Sequence, residues 1–168
     1  MTNSIFEQNF FDGVAYYDSN EISTTDCVIR NNQFAGISLD NDLVDITFTR
    51  CQTESNGDVG VFARNVEGLQ FLDCKISGSA DWAVFLTYDL KNLGVRDTTF
   101  ELCQFEENRR GVFMASFDEI QSSGTLVTKS TFVGNKQSGR ENVVTRGSKI
   151  VETSNEYLTS KRMVTASE

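Results

Sequence analysis

The sequence contains no histidine. That removes the one side chain whose ordinary pKa lies near neutrality, the usual general base and the commonest transition-metal ligand. Proline is absent too. Positive charge is in short supply: 15 Lys and Arg stand against 24 Asp and Glu, a net charge of −9, which argues against nucleic acid and anionic membrane as partners. No apolar run approaches the roughly 18 residues that a bilayer requires. The opening MTNSIFEQNFF has neither a basic leader nor an apolar stretch, so no signal peptide is expected. Helical periodicity is missing as well, because apolar residues nowhere recur at 3.6-residue spacing over about 10 positions. What the chain does have is enough apolar matter for one domain, 39% of 168 residues, with Phe the favoured aromatic at 13 copies.

It also has a repeat. Laying Cys27 to Gly36 (CVIRNNQFAG) beneath Ser4 to Gly13 (SIFEQNFFDG) aligns a small residue at position 0, an apolar one at +2, Asn at +5 and Gly at +9. Position 0 recurs at Ser4, Cys27, Cys51, Cys74, Cys103, Ser130 and Ser154, at spacings of 23, 24, 23, 29, 27 and 24 residues. Position +5 reads Asn9, Asn32, Asn56, Ser79, Asn108, Asn135 and Thr159. A period of this length marks a solenoid. All four cysteines occupy position 0, where Ser stands in the other repeats, so the expected role is a file of small, buried, inert thiols. A disulfide between neighbouring repeats and a metal site are the alternatives.

Each repeat resolves into three short strands. Before position 0, Ile22, Ile46 and Leu69 stand at −5, and Thr24, Phe48, Phe71, Phe100, Val127 and Val151 at −3, the alternation of a half-buried strand. The second strand starts at position 0, with Phe6, Ile29, Thr53, Ile76, Phe105 and Phe132 at +2 and Glu156 breaking that column in the last repeat. The third carries Val14, Ile37, Val61 and Val84 at +10, and Tyr16, Leu39, Ala63 and Leu86 at +12; in the fifth repeat it is read one residue early, at Gly111 to Met114. Three strands per 23–24 residues without a helix give the coil of a parallel β-helix. The Leu-rich signature of leucine-rich repeats is absent. Equivalent residues then stack about 4.8 Å apart, and an Asn at a fixed turn bonds its neighbours and tolerates left-handed backbone. The glycines at +9 are expected to open the third strand. Insertions fall at Tyr88 to Asp97, Ser116 to Gly124 and Lys136 to Asn142.

These columns resemble the right-handed parallel β-helix repeats of the pectin-lyase-like superfamily, over Ser4 to about Glu168, with the Asn ladder at the turn between the second and third sheets. The resemblance implies an all-β fold of about seven three-stranded rungs, residues 1–168 as a single β-helix domain, and carbohydrate-acting or surface relatives. It fixes fold far better than function.

The resemblance also implies where chemistry would lie. In such lyases a cleft over the outer face of the first sheet holds calcium on carboxylates, and an Arg or Lys removes a proton next to a uronate carboxylate. The matching outward column at −1 reads Asp26, Arg50, Asp73, Leu102, Lys129 and Thr153, with Glu101 and Glu152 at −2, and the fourth-repeat insertion brings Asp89, Lys91, Arg96 and Asp97. Arg50, Asp73, Arg96, Asp97 and Glu101 are thus the catalytic candidates, and Asp73 and Asp97 the calcium candidates. Asp73 with Asp97 or Glu101 would also suit a hydrolase pair. The competing reading is a cross-strand charge ladder.

A second feature is aromatic. Position +11 should point outward, and reads Ala15, Ser38, Phe62, Phe85 and, in the early register, Phe113, with Trp82 and Tyr88 in the Phe85 repeat. An outward apolar column fits a polysaccharide or another protein chain, including a second copy. The first repeat opens at once with Ile5, Phe6, Phe10 and Phe11, without a cap, whereas the last is polar. The expectation is a module of a longer β-helix, or an N-terminal rung that docks a partner. A full-length chain of this kind would be cytoplasmic, one excised from a larger protein secreted or on the cell surface. The reading as a whole is a non-catalytic β-helix module that binds polysaccharide or mediates assembly, without cofactor; the alternative is a calcium-assisted polysaccharide lyase.

Overall fold

Strand pairing follows the repeat directly. One sheet contains β1 (Ile5–Glu7), β4 (Val28–Arg30), β7 (Gln52–Glu54), β10 (Lys75–Ser77), β14 (Gln104–Glu106), β17 (Thr131–Val133) and β20 (Glu156–Leu158), in that order. These are the strands that start after position 0. A second sheet orders β2 (Val14–Tyr17), β5 (Ile37–Asp40), β8 (Val61–Arg64), β11 (Trp82–Thr87), β15 (Gly111–Phe117) and β18 (Val143–Gly147). The third orders β3 (Asn20–Thr25), β6 (Leu43–Thr49), β9 (Val66–Leu72), β13 (Thr99–Glu101), β16 (Thr125–Thr128) and β19 (Ile150–Thr153), with β12 (Val95–Arg96) also on β9. The structure, a computed structural model, describes residues 1–88, 94–117, 124–135, 143–147 and 150–158, with no side-chain description at 114–117 and 143–147. Among the described residues every strand pair is parallel and there is no helix, the architecture of a parallel β-helix. Parallel strands follow one another here without crossover helices because each turn of the coil returns the chain to the same sheet one tier on.

The register places position 0 in single file. Its carbonyl accepts the N–H at +1 of the next tier, from Val28 to Ser4, Gln52 to Cys27, Lys75 to Cys51, Gln104 to Cys74, Thr131 to Cys103 and Glu156 to Ser130, at 2.8–2.9 Å. All four cysteines are free thiols with at most 2% exposure. The thiols of Cys51, Cys74 and Cys103 donate to the carbonyls of Thr24, Phe48 and Phe71, the −3 residues one tier back, at 3.4–3.5 Å. Loss of hydration on burial pushes Cys103 up to about 12, and the hydrogen bond between Cys74 and Cys51, together with burial, pushes Cys74 up as well, so Cys74 and Cys103 remain neutral thiols.

The core is a set of stacked columns. At −3, Phe48, Phe71 and Phe100 stack with ring centroids 4.8 and 5.0 Å apart and nearly parallel planes. At +2, Phe105 stacks on Phe132 at 5.1 Å. Side-chain ladders close the corners. Asn32 Oδ1 accepts the backbone N–H of Asn9 at 3.1 Å and its Nδ2 at 2.8 Å, while Asn32 Nδ2 donates to the Phe6 carbonyl at 3.2 Å. Asn56 repeats this arrangement on Asn32 and Ile29, and Asn135 on Asn108 and Phe105.

Several expectations change in detail. The left-handed residue of the Asn corner stands at +4 and not at the Asn: Gln8, Asn31, Ser55, Gly78, Glu107 and Gly134 all have positive φ. The −1 column is left-handed as well, from Asn3, Asp26, Arg50, Asp73, Leu102 and Lys129 to Ser154. That last member shows that the final repeat starts at Asn155 and not at Ser154. Tyr157 then stacks on Phe132 at 4.7 Å, and Glu156 faces outward. A one-residue slip in a strand exchanges its two faces, so Val151 is 43% exposed while Glu152 stands over Val127 and bonds the Tyr157 hydroxyl. Asn155 fills position 0 by accepting the Ser130 N–H at 2.9 Å and donating to the Val127 carbonyl at 3.1 Å.

The glycines at +9 serve close packing. A Cβ on Gly36 would lie 2.6 Å from Asn56 Nδ2 and 2.7 Å from the Gly60 carbonyl, and Gly13 is as tight against Asn32. The fourth-repeat insertion is shorter than its sequence limits, because Val95 and Arg96 already pair in register with Val66 and Glu67. Asp89 and Lys91, the loop 118–123 and the third insertion fall outside the described residues; Ser116 and Phe117 belong to β15.

Candidate functional site

The acidic and basic candidates on the outer face of the sheet holding β3, β6 and β9 do not form one centre. Arg50 and Asp73 occupy neighbouring tiers of the −1 column. Arg96 and Asp97 stand at −7 and −6, at the opposite edge, with Asp97 in the left-handed corner beside Gly124. Five residues of strand, about 16 Å, part Asp73 from Asp97. The pair therefore fits neither a shared calcium nor a two-carboxylate hydrolase. Among the described residues no group of three or more Asp, Glu or Cys is placed to hold a metal ion.

The bases are held by acids one tier away. Arg50 makes a bidentate pair with Asp26, Nε to Oδ1 at 2.7 Å and Nη2 to Oδ2 at 2.8 Å. The hydrogen bond and charge of Asp26 raise the guanidinium pKa further, away from any role as a base. Arg96 pairs with Glu67 at 2.6 Å, Lys129 with Glu101 at 2.7 Å, and Arg30 with Glu7 at 2.7 Å. This is a rung-to-rung charge ladder. A small cleft of about 90 Å³ does lie beside Arg96, lined by Asp42, Asn65, Glu67 and Gly94 with Leu43, Val44 and Val66, and Asn65 Oδ1 is buried with no hydrogen-bond partner among the described residues.

The aromatic candidates part into core and surface. Phe113 pairs with Val84 at +10, so the fifth repeat keeps the common register, and its ring is fully buried 5.2 Å from both Phe100 and Phe105. It contributes no outer surface, because the column that places Val at +10 elsewhere accepts a larger side chain there. Tyr88 also packs on the main core. Phe62 and Phe85 do point outward, 5.9 Å apart, but each is half-buried against Trp82, Val59 and Ala35, with Trp82 only 6% exposed. The covering side chains come from the corner leading into β5, β8 and β11, at positions +7 and +8.

The corner forms a groove along the coil. Ala35, Val59 and Trp82 form a small apolar cluster with Phe62 and Phe85 packed on it, and Phe11 and Phe34, whose rings stack at 5.8 Å, line the cleft beside it together with Ala35, Val59 and Phe62. Phe11 is 67% and Phe34 45% exposed. The groove deepens to a cleft of about 250 Å³ whose lining carries two ionisable groups, Asp12 and Asp58. Asp12 Oδ1 accepts the Ala35 N–H at 2.9 Å, which fixes that carboxylate at the cleft. Partial burial, reinforced by Asp81 and Asp12 and opposed by Arg110, raises the Asp58 pKa above its ordinary value. One tier further, Arg110 pairs with Asp81 at 3.1 Å. Phe11 was named from sequence only as part of the uncapped first repeat, and Phe34, Asp12 and Asp58 were not singled out; two Phe at +7 in consecutive repeats were the available signal.

No match is found among curated proteins. Among solved structures the chain is similar to the Azotobacter vinelandii mannuronan C-5 epimerase AlgE4 A-module, at 13% identity and a TM-score of 0.46, over 95% of this chain and 54% of that one. The chain thus spans about half the length of that structure. The family model described as right handed beta helix region matches residues 1–156, which gives the coil its hand. With nearly the whole of its length matched and every sheet parallel, the chain belongs to the right-handed β-helix family.

Proposed function

We propose that this protein is a non-catalytic β-helix module that binds polysaccharide along the corner groove. The observation that carries the reading is the groove itself: exposed rings of Phe11 and Phe34 lining one cleft with Phe62, Ala35 and Val59, with carboxylates at the cleft to accept hydroxyl hydrogen bonds. Aromatic rings offer apolar area to the C–H faces of sugars, and a few fixed polar groups orient the ligand. The outer face of the β3, β6 and β9 sheet lends no comparable support to a lyase, since Arg50, Arg96 and Lys129 are each engaged by an acid of the neighbouring tier.

The alternative, a polysaccharide lyase acting on a uronate polymer, draws on one observation, the small cleft beside Asn65, Glu67 and Arg96. Two experiments separate the readings. In gels cast with soluble polysaccharides, wild-type protein should be retarded by at least one polymer, and Phe34→Ala should run freely. Incubation with pectate or alginate, with and without calcium, should yield no unsaturated uronate absorbance. Product formation that Arg96→Ala abolishes would replace the binding reading with the lyase.

A further inference from the structure

From the charge of the groove we infer that its ligand is a glycan bearing amino groups, a cationic amino-sugar polymer, and not a uronate. The inference rests on the polysaccharide-binding reading and adds the class of sugar. Both ionisable groups lining the cleft are acids, Asp12 and Asp58. Asp12 is pinned by the Ala35 N–H, and Asp58 stands two tiers further, about 10 Å along the coil. Among the described residues, two cations near the cleft are engaged: Arg110 with Asp81, and Arg64, which lies over the Phe62 ring, with Asp40. Arg109 is exposed beyond the cleft, in the fifth repeat. A uronate chain in the cleft would bring a like charge against two carboxylates, inside a chain of net charge −9. An ammonium-bearing sugar would pair with them while its ring faces meet Phe11, Phe34 and Phe62. Charge complementarity thus selects the occupant, and the aromatic walls supply the apolar contact.

The test is calorimetric titration of the whole chain with three hexasaccharides: fully deacetylated chitohexaose, its N-acetylated counterpart, and oligogalacturonate. At low salt the deacetylated hexamer should bind at least fivefold tighter than the N-acetylated one, and the uronate should not bind. The preference should shrink in 0.5 M salt, because the pairs are solvent-accessible. Asp58→Asn should weaken the deacetylated ligand about three- to fivefold, and Phe34→Ala should weaken both amino-sugar ligands. Asp45→Asn, an equal change of charge at an exposed corner outside the groove, should leave the affinities unchanged. Equal binding of the acetylated and deacetylated hexamers, or preferred binding of the uronate, would overturn the inference while leaving polysaccharide binding intact. Equal losses in Asp45→Asn and Asp58→Asn would overturn it too, by showing attraction to the whole surface. Failure of every glycan, here and in the gels, would remove the binding reading itself.

Discussion

Asn56 makes three ladder bonds at once: its Oδ1 receives two N–H groups of Asn32, and its Nδ2 reaches the Ile29 carbonyl. Asn56→Ala would leave buried donors unmatched and should lower the unfolding free energy by about 3 kcal/mol in a urea titration. The same ladder has a gap at Ser79, whose hydroxyl is buried with no partner among the described residues. Ser79→Asn should close it, since Gly60 leaves the same opening that Gly13 and Gly36 leave for Asn32 and Asn56, with a gain of about 1 kcal/mol. Two aspartates should respond to pH with opposite signs. Arg50, hydrogen-bonded to Asp26, lowers that carboxyl's pKa below 3.8, so its contribution is present at neutral pH and lost as pH falls through the folded value. Burial and neighbouring acids raise Asp58, so its carboxylate opposes folding once pH has risen through its folded value. Asp26→Asn should therefore destabilise at pH 7 and Asp58→Asn stabilise there, both effects fading toward pH 3 in denaturant titrations.

At the scale of the strand, the repeat was legible wherever small residues and Asn mark the corners. Position 0 at Ser4 through Ser130, the +5 ladder and the −3 phenylalanines could be read directly, because corner geometry accepts few residue types. Three things could not. Asn155 was hidden by the neighbouring Ser154, which resembles the usual residue at position 0. Phe113 was displaced because a large ring at +10 broke the Val pattern, although only the buried side offers it contacts. The groove lies at +7 and +8, where no column is uniform, so only the fold reveals Phe11, Phe34, Asp12 and Asp58 as neighbours. The reassignment of Phe113 is checked by a pair of variants. Phe113→Ala should cost about 4 kcal/mol and Phe34→Ala well under 1 kcal/mol. Gly36→Ala should also be costly, about 2 kcal/mol or more, since its Cβ would meet the Gly60 backbone carbonyl and the Asn56 side chain.

Over the whole molecule, one repeated corner gives two unlike surfaces. On the outer face of the β3, β6 and β9 sheet, acids and bases alternate by tier and neutralise one another, as in Arg50 with Asp26 and Lys129 with Glu101. Along the corner before β5 and β8, apolar rings and the carboxylates of Asp12 and Asp58 line one cleft. On the proposed reading the first surface is scaffold and the second the place for a ligand, and residue-level observation tells the two apart. The most direct measurement is amide chemical-shift mapping of the full chain titrated with deacetylated chitohexaose. Saturable shifts should follow the groove at Phe34, Ala35, Asp58 and Phe62, and leave Asp26, Arg50 and Asp73 unmoved. Shifts centred on Arg50, Asp73 or Arg96, with the groove silent, would contradict the account.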